Sequence, residues 1–364
     1  MESAATAANE VMQTQTLIIG AGLSGLALAA RLNAVGHDFL LVEARSRTGG
    51  RILTEQFGAG AFDLGPTWFW PGQPRIAALM ASLGLKETEQ HYAGELSFED
   101  ASGHVQRGKG FASMQGSFRV QGGMAALTDG LMARLPATRV MLSTQIAALS
   151  QSADGITATT QSGQQIDARR VVLALPPRIA GGITYAPDLP ASAHTAMDGI
   201  ATWMAGQDKV VVTYDRPFWR EAGLSGDAMS QRGPLAEVHD ASPAQGGPYA
   251  LFGFLGIPPQ ARQDHDHLWS AVLQQLTRLF GPQASQPTQR YIKDWAFDPF
   301  TATAADQKPL YAHPTYGLPA ALDGLWDGRL IFGGTEVAAQ FGGYLEGAIE
   351  AAEQTFDRIK AAKA

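Results

Sequence analysis

Three glycines and one carboxylate offer the first chemistry in this chain. Gly20, Gly22 and Gly25 form G-x-G-x-x-G within "GAGLSG", and Glu43 stands further on in "LLVEAR". In such a turn the first glycine permits a tight reversal and the second lets the backbone approach a pyrophosphate. The third allows close helix–strand packing, with the helix N-terminus facing the phosphates. A carboxylate at the end of the following strand accepts from ribose hydroxyls. Glu43 in place of a basic residue argues against a 2′-phosphate, and so for FAD or NAD over NADP. A second candidate is Lys209 in "GQDKVVVTYDRPFWRE". A lysine at a strand end ordinarily snorkels to water, and the adjacent Asp208 is placed to pair with it there. The alternative is a working cation in a buried site. A third group, "DHDH" at Asp264–His267, has metal-ligand types but no third ligand cluster nearby, and reads as a solvated helix start.

The surrounding elements must hold these residues. Thr16–Ile19 is a short apolar strand, the glycines make a turn, and Leu26–Val35 is an alanine-rich helix stopped by Gly36. Phe39–Val42 is a second strand. This βαβ order calls for a parallel sheet. Arg75–Leu83 has helical spacing, with Ile76, Leu79, Met80 and Leu83 on one side. Glu87–Met114 is polar and irregular, suited to short strands of another domain. A helix resumes in "QGGMAALTDGLMARL", followed by a β-meander that ends in the apolar strand Val171–Leu175. Pro176 and Pro177 then mark a crossover. Ala191–Phe280 mixes strands with one helix, Asp266–Leu279, and a long helix begins near Gly343.

Composition narrows the classes. The chain has 364 residues, 45% hydrophobic and 17% charged, enough for a substantial core and not the profile of a disordered chain. With 34 acidic against 27 basic residues the net charge is −7, which argues against nucleic-acid binding through a basic stripe. There is no cysteine, so disulfides, thiolate metal sites and thiol catalysis are excluded. The N-terminal "MESAATAANEVMQTQ" lacks the basic and apolar regions of a secretory signal, and the apolar run Leu17–Ala30 is too short to span a bilayer. The expectation is a cytoplasmic protein without membrane or nucleic-acid partners. Its oligomeric state is not legible.

"EARSRTGGR" directly follows the βαβ unit, and here the chain resembles the flavin-containing amine oxidase family, which includes the monoamine and polyamine oxidases. "GAGLSGLALAARL", "LLVEARSRTGGR" and "FDLGPTWF" carry the likeness, Pro66 standing where glycine is more usual. "GGM" at Gly122–Met124, "VVLALPP" at Val171–Pro177, Trp295 and "FGGTEVAAQFGGYLEGAIEAAE" continue it in order along nearly the whole chain. The resemblance implies FAD, and without cysteine no cysteinyl flavin bond forms, so non-covalent binding is expected. It implies cofactor contacts from Gly20, Gly22, Ser24, Gly25, Glu43, Ala44, Arg45, Gly50 and Arg51. It adds Thr67, Trp68, Ile146, Glu336, Gly343, Tyr344 and Leu345. Arg45 and Arg51 suit bidentate phosphate contact, while the partial positive charge of the last helix favours an anionic reduced flavin.

Lys209, Tyr344 and Trp295 are the catalytic residues so implied. Lys209 matches a family lysine that holds water against flavin N5, where its charge favours reaction with oxygen. Tyr344 matches one ring of an aromatic cage. The second ring would fall near Ala305, where none exists, leaving Trp68, Phe69, Phe300 or Tyr311 to supply a wall. Only about forty residues, Pro74–Ser113, stand where monoamine oxidases carry a longer helical insertion, which implies a reduced substrate domain. The implied fold is α/β, a Rossmann-type FAD-binding domain (14–73, 114–184, 300–364) with a second, smaller substrate domain (74–113, 185–299) on a mixed sheet. The implied reaction oxidises a primary or secondary amine to an imine, with O2 reduced to H2O2. Two other readings stay open: a flavin dehydrogenase or desaturase with a non-oxygen acceptor, and a flavin-binding protein of low turnover.

Overall fold

The computed structural model describes residues 11–308, 310 and 312–362. Tyr311 and the first ten residues of the N-terminal stretch discussed above lie outside them. Two compact units alternate along the chain. One holds the residues up to Gly50, Leu131–Ala201 and those from Thr315; the other holds Arg51–Gly130 and Thr202–Pro314. They are of comparable length, and the expected stretch 14–73 divides after Gly50, as 114–184 divides after Gly130.

The first unit is built on an eight-stranded sheet. Met12–Ile19 runs parallel to Phe39–Val42 on one side and to Gln165–Leu173 on the other. Both these centre strands are buried along their C-terminal halves, which is why they read as continuous apolar runs rather than alternating ones. Gln165–Leu173 changes partner along its length. Its first residues close an antiparallel meander with Ile156–Thr160, and Val171–Leu173 pair in parallel with Leu330–Phe332. The first strand begins at Met12, earlier than the apolar run alone suggests, because Met12–Thr14 pair with Ile166–Ala168. The helix Leu23–Ala34 starts at the glycine turn, and Gly36, with φ +64°, follows its end. The last helix, Leu345–Ala361, is tied to it by Arg31 and Glu353 at 2.5 Å.

The second unit is built on a seven-stranded sheet that is antiparallel except where Leu224–Ser230 meets Glu95–Glu99. Its middle strands are Asp208–Tyr214, Tyr249–Leu255 and Leu235–Asp240. The helix His265–Phe280 covers one face, packing Leu268, Val272 and Leu276 with Val210, Val212 and Leu251. The other face carries Val211, Ala250 and Phe252 against Phe62 and Leu64. The segment 191–280 holds more helix than expected. Besides His265–Phe280 there are Ala191–Gly199 and the single turn Phe218–Glu221. Ala191–Gly199 buries only Ala193 and Met197, too little apolar periodicity to announce a helix.

Candidate functional site

In the first unit the glycine turn has one filled side and one open side. Gly20 has φ +107°, and a Cβ on it would lie 2.5 Å from the Ala174 carbonyl oxygen. A Cβ on Gly25 would lie 1.9 Å from the oxygen of Gly20, so helix and strand meet there backbone to backbone. At Gly22, the N-cap of Leu23–Ala34, a Cβ would meet no atom within 4 Å. The helix N-terminus with its orphan N–H groups therefore opens on a small cradle. The "TGGR" glycines close one wall: Gly49 N–H donates to Ala21 O at 2.8 Å, and a Cβ on Gly50 would meet Gly22 Cα at 3.2 Å. Arg47 ties that wall, donating to Thr48 O and Gly50 O, both at 2.9 Å.

Glu43 is buried at the end of its strand. Its carboxylate accepts from Ala21 N–H at 2.8 Å and from Arg45 N–H at 2.9 Å, which fixes it beside the turn with lone pairs to spare. The Arg45 guanidinium stands 3.6 Å away. Ser24 donates to the Gly333 carbonyl, which joins the turn to the "GGTE" segment. Glu336 is fully buried in the turn Thr335–Val337, and Thr335 Oγ1 donates to Tyr344 O at 2.9 Å. Gly343 has φ +81°, Tyr344 is the 38%-exposed N-cap of the last helix, and Leu345 is its first residue. Glu350 accepts from Ala339, Gln340 and Phe341 N–H at 3.0–3.1 Å and so holds the loop before that helix. Ile146 is buried at the start of its strand, and Ala44 is half-buried. An open cradle, a helix N-terminus and a fixed carboxylate fit a dinucleotide.

In the second unit, strand alternation decides which groups meet. Lys209 lies opposite Lys293 and one residue before Val210, which pairs with Gly253. It therefore shares a sheet face with Phe252 and Phe254, and Asp208 takes the other face. The expected solvent-facing Asp208–Lys209 pair does not form. Lys209 is 2% exposed and Asp208 is fully buried. Asp208 instead pairs with Arg262 at 3.0 Å and accepts from Leu255 N–H at 3.1 Å.

The Lys209 ammonium donates to the Gly65 carbonyl at 3.1 Å and to Thr67 Oγ1. It lies 4.0 Å from the centre of the Phe252 ring, with Phe254 and Trp68 at 5.7 and 5.8 Å. Burial pushes its pKa down to about 7; Asp63 opposes that fall and Arg119 adds to it. Asp63 is raised, by burial first, with Thr54 and Lys209 acting the other way. Asp63 Oδ1 accepts from Thr54 Oγ1 at 2.5 Å and from Met124 N–H at 2.9 Å. The "GGM" turn thus serves the same carboxylate.

Trp295 is buried, and its indole N–H donates to Leu64 O at 2.9 Å. Trp68 donates to Gln90 Oε1 at 2.9 Å and stands edge-on to His239, ring centres 5.0 Å apart. His239 is buried between Asp227 and Glu237, each 2.9 Å from a ring nitrogen. Burial would lower its pKa, but the two carboxylates raise it. Of the rings considered as cage walls, Trp68 stands at Lys209, whereas Phe69 is buried against Phe118. Ala305 lies in a 3-10 turn, Ala304–Gln307. "DHDH" behaves as a helix start: Asp264 accepts from His267 N–H at 3.1 Å. No group of three metal-ligating side chains occurs among the described residues, nor any helix long and apolar enough to cross a membrane.

Sequence reasoning passed over Arg47, Asp63 and Arg119. Asp63 stood in the quoted "FDLGP", and its signal was a carboxylate inside an apolar stretch. Nothing local distinguished Arg47 or Arg119.

A strand–glycine turn–helix with an open cradle and a carboxylate on the next strand defines a dinucleotide-binding α/β protein. The chain belongs to the flavin containing amine oxidoreductase family, whose profile matches residues 91–359, while 18–83 match an NAD(P)-binding Rossmann-like domain. It is thus a member of a family of FAD-dependent oxidoreductases. Among curated proteins it is 27% identical to a probable flavin-containing monoamine oxidase A of Dictyostelium discoideum, over 66% of this chain and 53% of that protein. The chain therefore spans about half the length of that relative. It is 22% identical to a putative flavin-containing monoamine oxidase, AofH, of Mycobacterium tuberculosis, over 97% of this chain and 98% of that one. A solved structure of putrescine oxidase bound to putrescine shares the fold, with TM-score 0.81 and 21% identity over 97% of this chain and 100% of that one.

Proposed function

We propose that this protein oxidises a primary or secondary amine to an imine, using non-covalently bound FAD and passing the electrons to O2 to give H2O2. The observation that carries this reading is Lys209, a buried amine fixed by Gly65 and Thr67 in a chain that also has an open dinucleotide cradle. When bound, FAD supplies the hydride-accepting and electron-transferring chemistry. Gly22 would leave room for the pyrophosphate, which the N-terminus of Leu23–Ala34 would hold through its first N–H groups. Glu43, already oriented by Ala21 and Arg45, offers its remaining lone pairs to ribose hydroxyls.

Lys209 holds its cation where water is excluded, and there a positive charge acts on a developing oxyanion far more strongly than in solution. Trp68 and Phe252 surround the Lys209 amine with aromatic surface, and a substrate amine admitted beside them would be favoured in its neutral form. Tyr344, exposed at the head of the last helix, is assigned to the substrate through the family resemblance. The resulting imine is released to water, which hydrolyses it to an aldehyde or ketone.

The experiment is an anaerobic screen of amines with the FAD-loaded protein, followed by admission of air with peroxide measured. The expected result is loss of flavin absorbance with at least one amine and peroxide on reoxidation. A protein that takes up no FAD, or whose flavin stays oxidised with every amine, would sink the reading. Bleaching without peroxide would replace O2 by another acceptor.

A further inference from the structure

We propose that Asp63 is the counter-charge of Lys209, a positioning residue that keeps the buried amine protonated while Gly65 and Thr67 fix where its Nζ points. The inference rests on the role given to Lys209 above only for its consequence, not for its test. An ammonium withdrawn from water needs a compensating carboxylate. The partners in direct contact with Lys209, the Gly65 carbonyl, the Thr67 hydroxyl and the Phe252 ring, are all neutral.

The charged groups on the packed elements can be taken in turn. On its own strand Asp208 faces the other way, to Arg262. On the neighbouring strand Gln289–Asp294, Lys293 is paired with Asp298 at 2.7 Å. The strand Tyr249–Leu255 presents only Phe252 and Phe254. Beyond it, Glu237 and Asp227 are both engaged by His239. Asp240 is held by Arg220 through two contacts of 2.7 and 2.9 Å. From Phe118–Val120 comes Arg119, a like charge, one of whose nitrogens donates to Ser242 O. That leaves Asp63, on the strand Gly60–Asp63 that leads straight into Gly65 and Thr67. Its hydrogen-bond donors, Thr54 and Met124 N–H, are both neutral. The opposing pulls on the two groups agree with this placement: each is moved toward neutrality by burial and back toward its charged form by the other.

The chain has seven lysines, so carbon-13 labelling at lysine Cε gives a countable spectrum in which the Lys209 signal is the one lost in Lys209→Met. Its pH titration reports the amine directly, with or without flavin. In Asp63→Asn the oxygen that serves Thr54 and Met124 is retained and only the charge is removed. The midpoint should fall by about one pH unit or more. Asp63→Glu should bring it back toward the wild-type value. Arg119→Gln should move it the opposite way, upward, and if Asp63→Asn does not fold, Asp63→Ser, which also removes the charge and keeps an acceptor for Met124 N–H, takes its place. An unchanged midpoint in these variants, or one that moves the same way in both, overturns the proposal. Oxygen reoxidation of reduced Lys209→Met is a separate arm. If it matches wild type while the midpoints move as expected, the oxygen role of Lys209 falls and the counter-charge stands.

Discussion

In Lys209→Met an unbranched side chain of similar length replaces the buried amine and stays against the same rings. Burial takes the amine from its ordinary 10.5 to about 7, a gap worth about 5 kcal/mol to the fold. That cost is fully present where lysine is charged in both the folded and the unfolded chain, below about pH 7. Methionine removes it but leaves the Gly65 carbonyl without its donor, at about 1–3 kcal/mol, and forfeits the cation–π contact, at about 1 kcal/mol. The net expectation at pH 6 is a stabilisation of about 1–3 kcal/mol. Between the folded and unfolded pKa values the unfolded chain holds a proton that the folded chain has released, so wild-type stability rises with pH. Methionine cannot show this rise. The advantage should therefore shrink through pH 8 and reverse near pH 10, where the folded amine is neutral and the lost hydrogen bond to Gly65 outweighs what is left of the charge cost. Urea midpoints of the flavin-free proteins, compared at equal m-value, measure it without ligand linkage. A difference that is the same at pH 6 and pH 10, or a methionine variant less stable at pH 6, would refute the reasoning.

The two sides of the glycine turn separate in the same way. Gly25→Ala drives a Cβ to 1.9 Å from Gly20 O and should prevent the first unit from folding, read as loss of soluble protein. Gly22→Ala meets nothing within 4 Å and should keep its melting temperature while losing flavin absorbance after incubation with FAD; equal flavin retention would remove Gly22 from the cradle. Arg220→Ala leaves Asp240 buried without its cation and should cost about 3–5 kcal/mol at pH 7 by urea unfolding. Burial works against the Asp240 charge, but Arg220, Ser242 and Trp219 hold its pKa below the ordinary 3.8. The contribution is thus present above that value and lost as pH falls through the lowered one.

The first unit was legible because its signals are local. The turn from Gly20 to Gly25 and the strand Phe39–Val42 depend on neighbours in sequence, and the structure places both where the pattern does. The dividing points at Gly50 and Gly130 were not legible, since "TGGR" reads as a continuation of the βαβ unit although the chain leaves that unit within it. Asp63 was visible as part of a motif, but its chemistry depends on Thr54, Met124 and Lys209, which come from three other segments. The burial of Lys209 was harder still. The groups that cover it, Gly65 and Thr67, lie 144 and 142 residues earlier in the chain.

A strand that opens Asp-Lys looks like an edge entering water, because consecutive charges on a period-two element put one charge on each face. Here both faces are covered. Asp208–Tyr214 runs between two partner strands, under Arg262 and the helix His265–Phe280 on one side and under Phe62–Trp68 on the other. Each charge therefore needs its own compensation, and the two solutions differ. Asp208 has a guanidinium at 3.0 Å and belongs to a closed ion pair. Lys209 is given neutral acceptors, rings and a carboxylate beyond direct contact, an arrangement that holds the amine in place while leaving its proton weakly bound. Even the direct partner of Asp208 does not fix a charge so deep in the sheet: burial pushes Asp208 up to about 7 against the pull of Arg262. The looser arrangement costs stability and leaves a buried amine able to gain and lose a proton near neutrality, which a purely structural lysine does not require.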